Sequence, residues 1–222
     1  MAAAGEITPM PRCAIFADTQ DEPAGVYETL NSIRPKLPFP LYRVTSGSLS
    51  DKVYSGKFII PSFGSRGGIN FRRCTDRYKI EPIKRLIREM FGMRPLTLWI
   101  GISLDEVHRM KPNKLKRITN RWPLIELRKS RHDCEQWLSR HGFDKPEKSA
   151  CTYCPYHSDA TWRKLLSSPE RKGILRMDAF LNAHGQYLHR SLKPLSEVDL
   201  STDEDHGQQI MFGNECEGMC GV

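Results

Sequence analysis

Arg12-Cys13-Ala14-Ile15-Phe16-Ala17-Asp18-Thr19 reads as a short buried strand that ends in a polar turn. Glu22-Pro23 then opens a helix to about Ile33, with proline in its first turn and Val26, Leu30 and Ile33 on one side. Pro35, Pro38 and Pro40 end that helix, and Leu41-Tyr42-Arg43-Val44-Thr45 is the next strand. Lys57-Phe58-Ile59-Ile60 is expected as a third strand, and the glycine-rich Phe63-Gly64-Ser65-Arg66-Gly67-Gly68 as a mobile loop. Ile83, Leu86, Ile87 and Met90 keep the helical period up to Gly92, and Leu96 to Ile102 is the most strongly apolar strand candidate. Strands alternating with helices predict an α/β layer fold with a largely parallel sheet, whose ligands bind at the carboxyl ends of its strands. Asp18, Thr19 and Ser103 fall at such ends.

From Lys111 the texture changes. Lys111, Lys114, Lys116, Arg117 and Arg121 make a basic loop, and His132 to His141 reads as a helix carrying Cys134, Trp137 and Leu138. Another helix starts at Asp159, and a last one runs from Pro169 to about His189. The organisation expected is an α/β core over 1–110, a part over 111–195 with the basic loop, a Cys-x-x-Cys turn and C-terminal helices, and an acidic linker and cysteine-containing tail over 196–222.

The Cys-x-x-Cys turn lies in Ser149-Ala150-Cys151-Thr152-Tyr153-Cys154-Pro155. Two thiolates at this spacing can grip one metal centre from one turn. Cys134, Cys216 and Cys220 lie in the same half of the chain, and Cys74 stands upstream among arginines. Zinc completed by His132, His141 or His157 is the alternative to an iron–sulfur cluster at this level of reading. Two small buried residues would be the plain packing explanation of the pair. Arg72, Arg73, Arg77 and Lys79 crowd a helix start, where cations oppose the helix dipole unless an anion is shared there. Asp105, Glu106 and Arg109 read by themselves as an exposed helical ion pair.

Lysine and arginine outnumber aspartate and glutamate, 34 to 26, giving the 222-residue chain a formal charge of +8, which points to an anionic partner. The start lacks the basic head and apolar core of a signal peptide, and no apolar run approaches the ~20 residues of a membrane helix. A cytoplasmic, reducing location is therefore expected, with metal or redox roles for the cysteines rather than a disulfide framework.

Taken in order, Ile15-Phe16-Ala17-Asp18-Thr19, Arg73-Cys74 with Lys79 and Pro82, Trp99-Ile100-Gly101-Ile102 and Ser149-Ala150-Cys151-x-x-Cys154 resemble the phosphoadenosine phosphosulfate reductase family of the adenine nucleotide alpha-hydrolase (PP-loop) superfamily. The likeness spans roughly Arg12 to Pro155 and is nearest to the small reductase-like proteins of phages and mobile elements. It implies a Rossmann-like parallel sheet flanked by helices, with a helical, cysteine-containing C-terminal part. Asp18, Thr19, Arg73, Lys79, Gly101 and Arg109 would then bind an adenine nucleotide, either ATP or the sulfo-nucleotide. Cys74, Cys151 and Cys154 would hold a [4Fe–4S] cluster, or zinc, with Cys134 as the fourth ligand and Cys220 as the next choice, and Cys216 or Cys220 would be a tail nucleophile.

Three departures qualify the likeness. Thr75 replaces the second cysteine of the family's tandem pair, the family's phosphate loop is not seen ahead of Arg12, and Glu217 replaces the glycine of its Glu-Cys-Gly tail. The activities implied are sulfo-nucleotide reduction or nucleotide-dependent sulfur transfer to DNA or tRNA held by the Lys111–Arg121 loop. The alternative is a non-catalytic, metal-stabilised module binding nucleic acid or protein.

Overall fold

A computed structural model describes residues 1–147 and 149–201. The acidic segment after Ser201 and the proposed tail nucleophiles Cys216 and Cys220 lie outside the described residues. The chain is a mixed α/β protein. β1 (Ala14–Asp18) is followed by α1 (Ala24–Ile33) and β2 (Leu41–Thr45), and the two strands pair in parallel from Ala14 opposite Leu41 to Asp18 opposite Thr45. Parallel neighbours require a crossover, and α1 provides it.

α2 (Leu49–Tyr54) comes next, capped by the Ser48 hydroxyl, which accepts the Asp51 N–H at 3.1 Å. A π-helical turn over Thr75–Ile80 runs directly into α3 (Glu81–Phe91), which packs on β1 and β2 and stops at Gly92. The second parallel pair joins β4 (Leu96–Trp99) to β5 (Ile118–Arg121), so the basic loop is partly a strand. α4 (Pro123–Glu126) and α5 (Arg131–Arg140) follow, and α5 opens on a reciprocal capping box between Ser130 and Asp133.

Three expectations are corrected. The parallel strands form two separate pairs rather than one continuous sheet. The strand expected at Lys57–Ile60 is irregular chain. Ile59 and Ile60 are both buried instead of alternating, the Ile59 carbonyl accepts the N–H groups of Arg73 and Cys74, and Pro61 has no N–H to extend a ladder. The glycine-rich segment is tied down, because β3 (Phe63–Gly64) pairs antiparallel with β6 (Gln186–Tyr187). Gly67 and Gly68 close this turn at φ of 82° and 80°, a region that side-chain-bearing residues rarely enter.

The last helices are α6 (Asp159–Leu166) and α7 (Arg171–Asn182), the latter ending earlier than the apolar pattern to His189 implies. The principal core is a single cluster in which Leu49, Val53, Ile59, Ile60 and Tyr78 pack with Tyr153, Trp162, Ile174, Met177, Leu181, Leu188 and Leu195. Residues on both sides of position 110 share it, and the Cys-x-x-Cys turn is part of it through Cys151. No helix among the described residues is long and apolar enough to cross a membrane.

Asp178 of α7 is buried in this core. Its Oδ2 accepts from the Leu195 N–H at 2.8 Å and the Asn182 amide at 3.1 Å, while Oδ1 has no partner. Burial pushes its carboxyl up, and the two hydrogen bonds only partly oppose this. A raised folded value means that the stability contributed by the protonated group is present at acid pH and is lost as the pH rises through that value. Asp178→Asn should therefore gain in melting temperature relative to wild type as pH is raised from the ordinary aspartate range toward neutrality. A difference that stays constant with pH would refute this.

Candidate functional site

Alternation along paired strands puts Phe16 and Asp18 of β1 on the same face as Arg43 and Thr45 of β2. Asp18 is 1 % exposed, and its carboxylate is held from three directions. Arg43 donates to Oδ2 through Nε at 2.7 Å and Nη2 at 2.5 Å, and the Tyr27 hydroxyl and the Gln20 N–H each donate to Oδ1 at 2.9 Å. Tyr27 is raised to about 12, first by burial and then by its bond to the Asp18 carboxylate. The Arg43 guanidinium also lies 5.1 Å from the Tyr27 ring centroid. A groove of about 260 Å³ opens on this face between Phe16, Tyr27, Asn31, Arg34, Leu41 and Arg43.

One residue on, the next side chain meets the Cys-x-x-Cys turn. Thr19 is wholly buried, with its hydroxyl 3.2 Å from the Cys151 sulfur and 3.3 Å from Glu22 Oε1, to which it donates. Glu22 Oε1 also pairs with the Lys79 ammonium at 3.2 Å, and Oε2 accepts from the Ser149 hydroxyl at 3.4 Å. The turn is fixed to the strand end by its backbone, since the Thr152 N–H donates to the Asp21 carbonyl at 2.9 Å. Asp21 in turn accepts the Ser50 N–H at the entry to α2. Inside the turn, the Cys154 N–H and the His157 ring both reach the Cys151 carbonyl at 2.9 Å. Of the residues expected to bind nucleotide, Asp18, Thr19 and Lys79 are thus gathered with Cys151 at the carboxyl end of β1.

The others lie elsewhere or in a different role. Arg73 is an exposed loop residue whose backbone bonds to Ile59. Arg109 makes the plain i,i+3 ion pair with Glu106. Gly101 is exposed after β4, and a Cβ there would meet nothing within 4 Å, so packing does not demand glycine. Glu22, Arg43 and Tyr27 were not singled out from sequence. Only the register of β1 against β2, with Arg43 opposite Phe16, brings Arg43 within reach of Asp18 on the same face, and the strand pattern does not contain that register.

The four-cysteine set is not gathered among the described residues. Among the described residues no group of three or more His, Cys, Asp or Glu side chains is placed to hold a metal ion, so Cys74, Cys134, Cys151 and Cys154 do not form one centre, and no imidazole completes a zinc site. Cys151 turns into the core toward Thr19. Burial pushes its thiol far up, the Glu22 carboxylate adds to this, and Lys79 and Thr19 only partly offset it. Cys134 sits on α5, near the amino-terminal segment where Trp137 donates to Glu6 at 2.7 Å, and burial raises its thiol too. Cys74 packs against the core. Among the described residues these donors are not arranged as a [4Fe–4S] cluster or a tetrahedral zinc requires.

Fold and site together define a mixed α/β protein with a buried polar knot at the end of its first strand. No family model and no solved structure matches the chain. The uncharacterized nin region protein ORF290 of Escherichia phage lambda is 31% identical to it over 123 residues, which cover 53% of this chain and 40% of that protein. The chain therefore spans well under half the length of this relative.

Two measurements test the knot. With iodoacetamide at mildly alkaline pH, peptide mapping of the native chain should find Cys154 alkylated and Cys151 protected until the protein is denatured; equal labelling would contradict the burial of Cys151. Lys79→Met strands the Glu22 carboxylate in the interior and should cost about 1–3 kcal/mol in urea unfolding, most of it recovered when Glu22→Gln is added. A Lys79→Met loss that Glu22→Gln fails to relieve would show that the pair is not coupled.

Proposed function

We propose that the chain is a phosphoadenosine phosphosulfate reductase-like protein with a Rossmann-like core of the PP-loop type, and that it binds an adenine nucleotide at the carboxyl end of β1. One observation carries the reading: the Thr19 hydroxyl and the Cys151 sulfur, 132 positions apart, meet at 3.2 Å. The Asp-Thr turn and the Cys-x-x-Cys turn, the first and last stretches of the resemblance, are thus in contact, and Glu22 links Lys79 to them, which supports reading them as one site. The position suits a ligand of this kind, since nucleotides seat at strand carboxyl ends in α/β proteins. Lys79 would turn from Glu22 to the ligand's phosphate or sulfate, and the adjoining groove, with its aromatic rings and the Asn31 amide, would take the base.

Binding is favoured over thiol chemistry at this site. A nucleophilic Cys151 would have to ionise where burial and Glu22 both oppose a thiolate. Sulfo-nucleotide reduction or sulfur transfer would then draw its thiol from another part of the chain or from a separate reductant. The second reading, a non-catalytic nucleic-acid- or protein-binding module, is favoured by the pairing of two of the three implicated cations, Lys79 with Glu22 and Arg109 with Glu106.

Calorimetric titration separates the two. ATP or the sulfo-nucleotide should bind the wild-type chain, and Lys79→Met in the Glu22→Gln background should weaken binding by about 10-fold or more, the range for a charge-assisted hydrogen bond. Failure of both nucleotides to bind, beside salt-dependent binding of DNA or tRNA that falls when Lys111, Lys114 and Lys116 are replaced, would select the module.

A further inference from the structure

Phe71 is 87 % exposed, the most exposed large apolar side chain among the described residues. The chain is tied on both sides of it. On one side the Asn70 N–H donates to the Ser62 carbonyl at 2.9 Å, and the Asn70 amide donates to the Ser62 hydroxyl at 3.3 Å and to Gln186. Ser62 is itself wholly buried and donates to Gln186 at 2.8 Å. On the other side the Arg73 and Cys74 N–H groups share the Ile59 carbonyl at 3.1 and 3.0 Å. Between these anchors, Arg72 lays its guanidinium 5.4 Å from the Tyr156 ring centroid, next to the Cys-x-x-Cys turn. The backbone on either side of the exposed ring is thus held in place.

The chain around the ring, up to the exposed Asp76, is cationic. From Ser55 to Thr75 the chain carries Lys57, Arg66, Arg72 and Arg73 and no carboxylate, and from Ala179 to Ser196, which includes the strand paired with β3, it carries Arg190 and Lys193 and again none. Lys57, Arg66, Arg73, Arg190 and Lys193 are exposed; Asp159, which pairs with Arg190 at 3.1 Å, comes from α6. A flat exposed ring followed directly by Arg72 and Arg73 in the chain suits an unpaired base with its phosphates, since stacking tolerates any base and the cations follow the backbone. A protein-binding anchor would instead sit at the centre of a patch depleted of charge.

We infer that the Phe71 loop is a stacking platform for single-stranded nucleic acid, with Arg66, Arg72 and Arg73 meeting its phosphates. This surface is distinct from the Lys111–Arg121 loop and does not depend on the nucleotide reading, because neither Lys79 nor Glu22 contributes to it.

The test is fluorescence anisotropy of a labelled oligothymidylate of about 12 nucleotides, a length within the span of single-strand sites. The full chain should bind it more tightly than a duplex of the same length. Phe71→Ala should weaken binding roughly 5- to 150-fold, the range expected when one base stack is removed, with the salt dependence unchanged. Phe71→Trp should retain affinity, and Arg66→Ala with Arg73→Ala should flatten the salt slope by about 0.7 for each phosphate no longer neutralised. Phe71→Ala is a surface change, and circular dichroism should show it folded. The inference is overturned if the wild type does not bind the oligonucleotide, or if Phe71→Ala binds as the wild type does. It is equally overturned if Phe71→Ala abolishes self-association or capture of a protein partner while leaving oligonucleotide affinity intact.

Discussion

The Glu22 carboxylate is the constraint around which the site is arranged. Its side chain is fully shielded from water, and an ionised carboxylate in that position must be matched by nearby donors and an opposite charge. Thr19, Ser149 and Lys79 provide them, and they come from the end of β1, the Cys-x-x-Cys turn and the π-helical turn before α3. One buried acid therefore fixes three remote segments relative to one another. The carbonyl of Asp21 adds a backbone bond to the same turn, so the cysteine turn is seated on the strand end by both main chain and side chains.

This arrangement changes what Cys151 is. From spacing, two thiols on a tight turn read as metal ligands. In the fold, Cys151 is a packing residue with a weak polar interaction, sharing a cluster with Tyr153 and Trp162. The same turn that resembles a ligand loop thus serves to close the core over α6 and α7.

Much of the local structure was legible in the sequence, because it follows from short-range rules. β2 falls on Leu41–Thr45 as the apolar pattern and flanking prolines indicate, and α3 stops at Gly92, where only glycine suits the turn. α5 is expected from His132 to His141 and runs from Arg131 to Arg140, but its capping box of Ser130 and Asp133 was not singled out from sequence. What could not be read is whatever depends on long-range partners. Ile59 and Ile60 look like a strand but lack a neighbouring ladder, and the glycine-rich loop finds its partner strand more than a hundred positions later. Asp18 and Thr19 could be placed at a strand end, yet Arg43 and Glu22, which complete their surroundings, carry no motif.

The π-helical turn at Thr75–Ile80 has an implication for how this region arose and how it tolerates change. Such a turn holds one residue more than the α-helical period, so everything after it is phased about 100° from where a regular helix would put it. Lys79 can therefore look toward Glu22, while a few positions later Ile87 is buried within the helix that rests on β1 and β2. A single-residue deletion here would restore a regular helix but swing the ammonium off its carboxylate. Alignments of this segment should accordingly accept substitutions more readily than gaps.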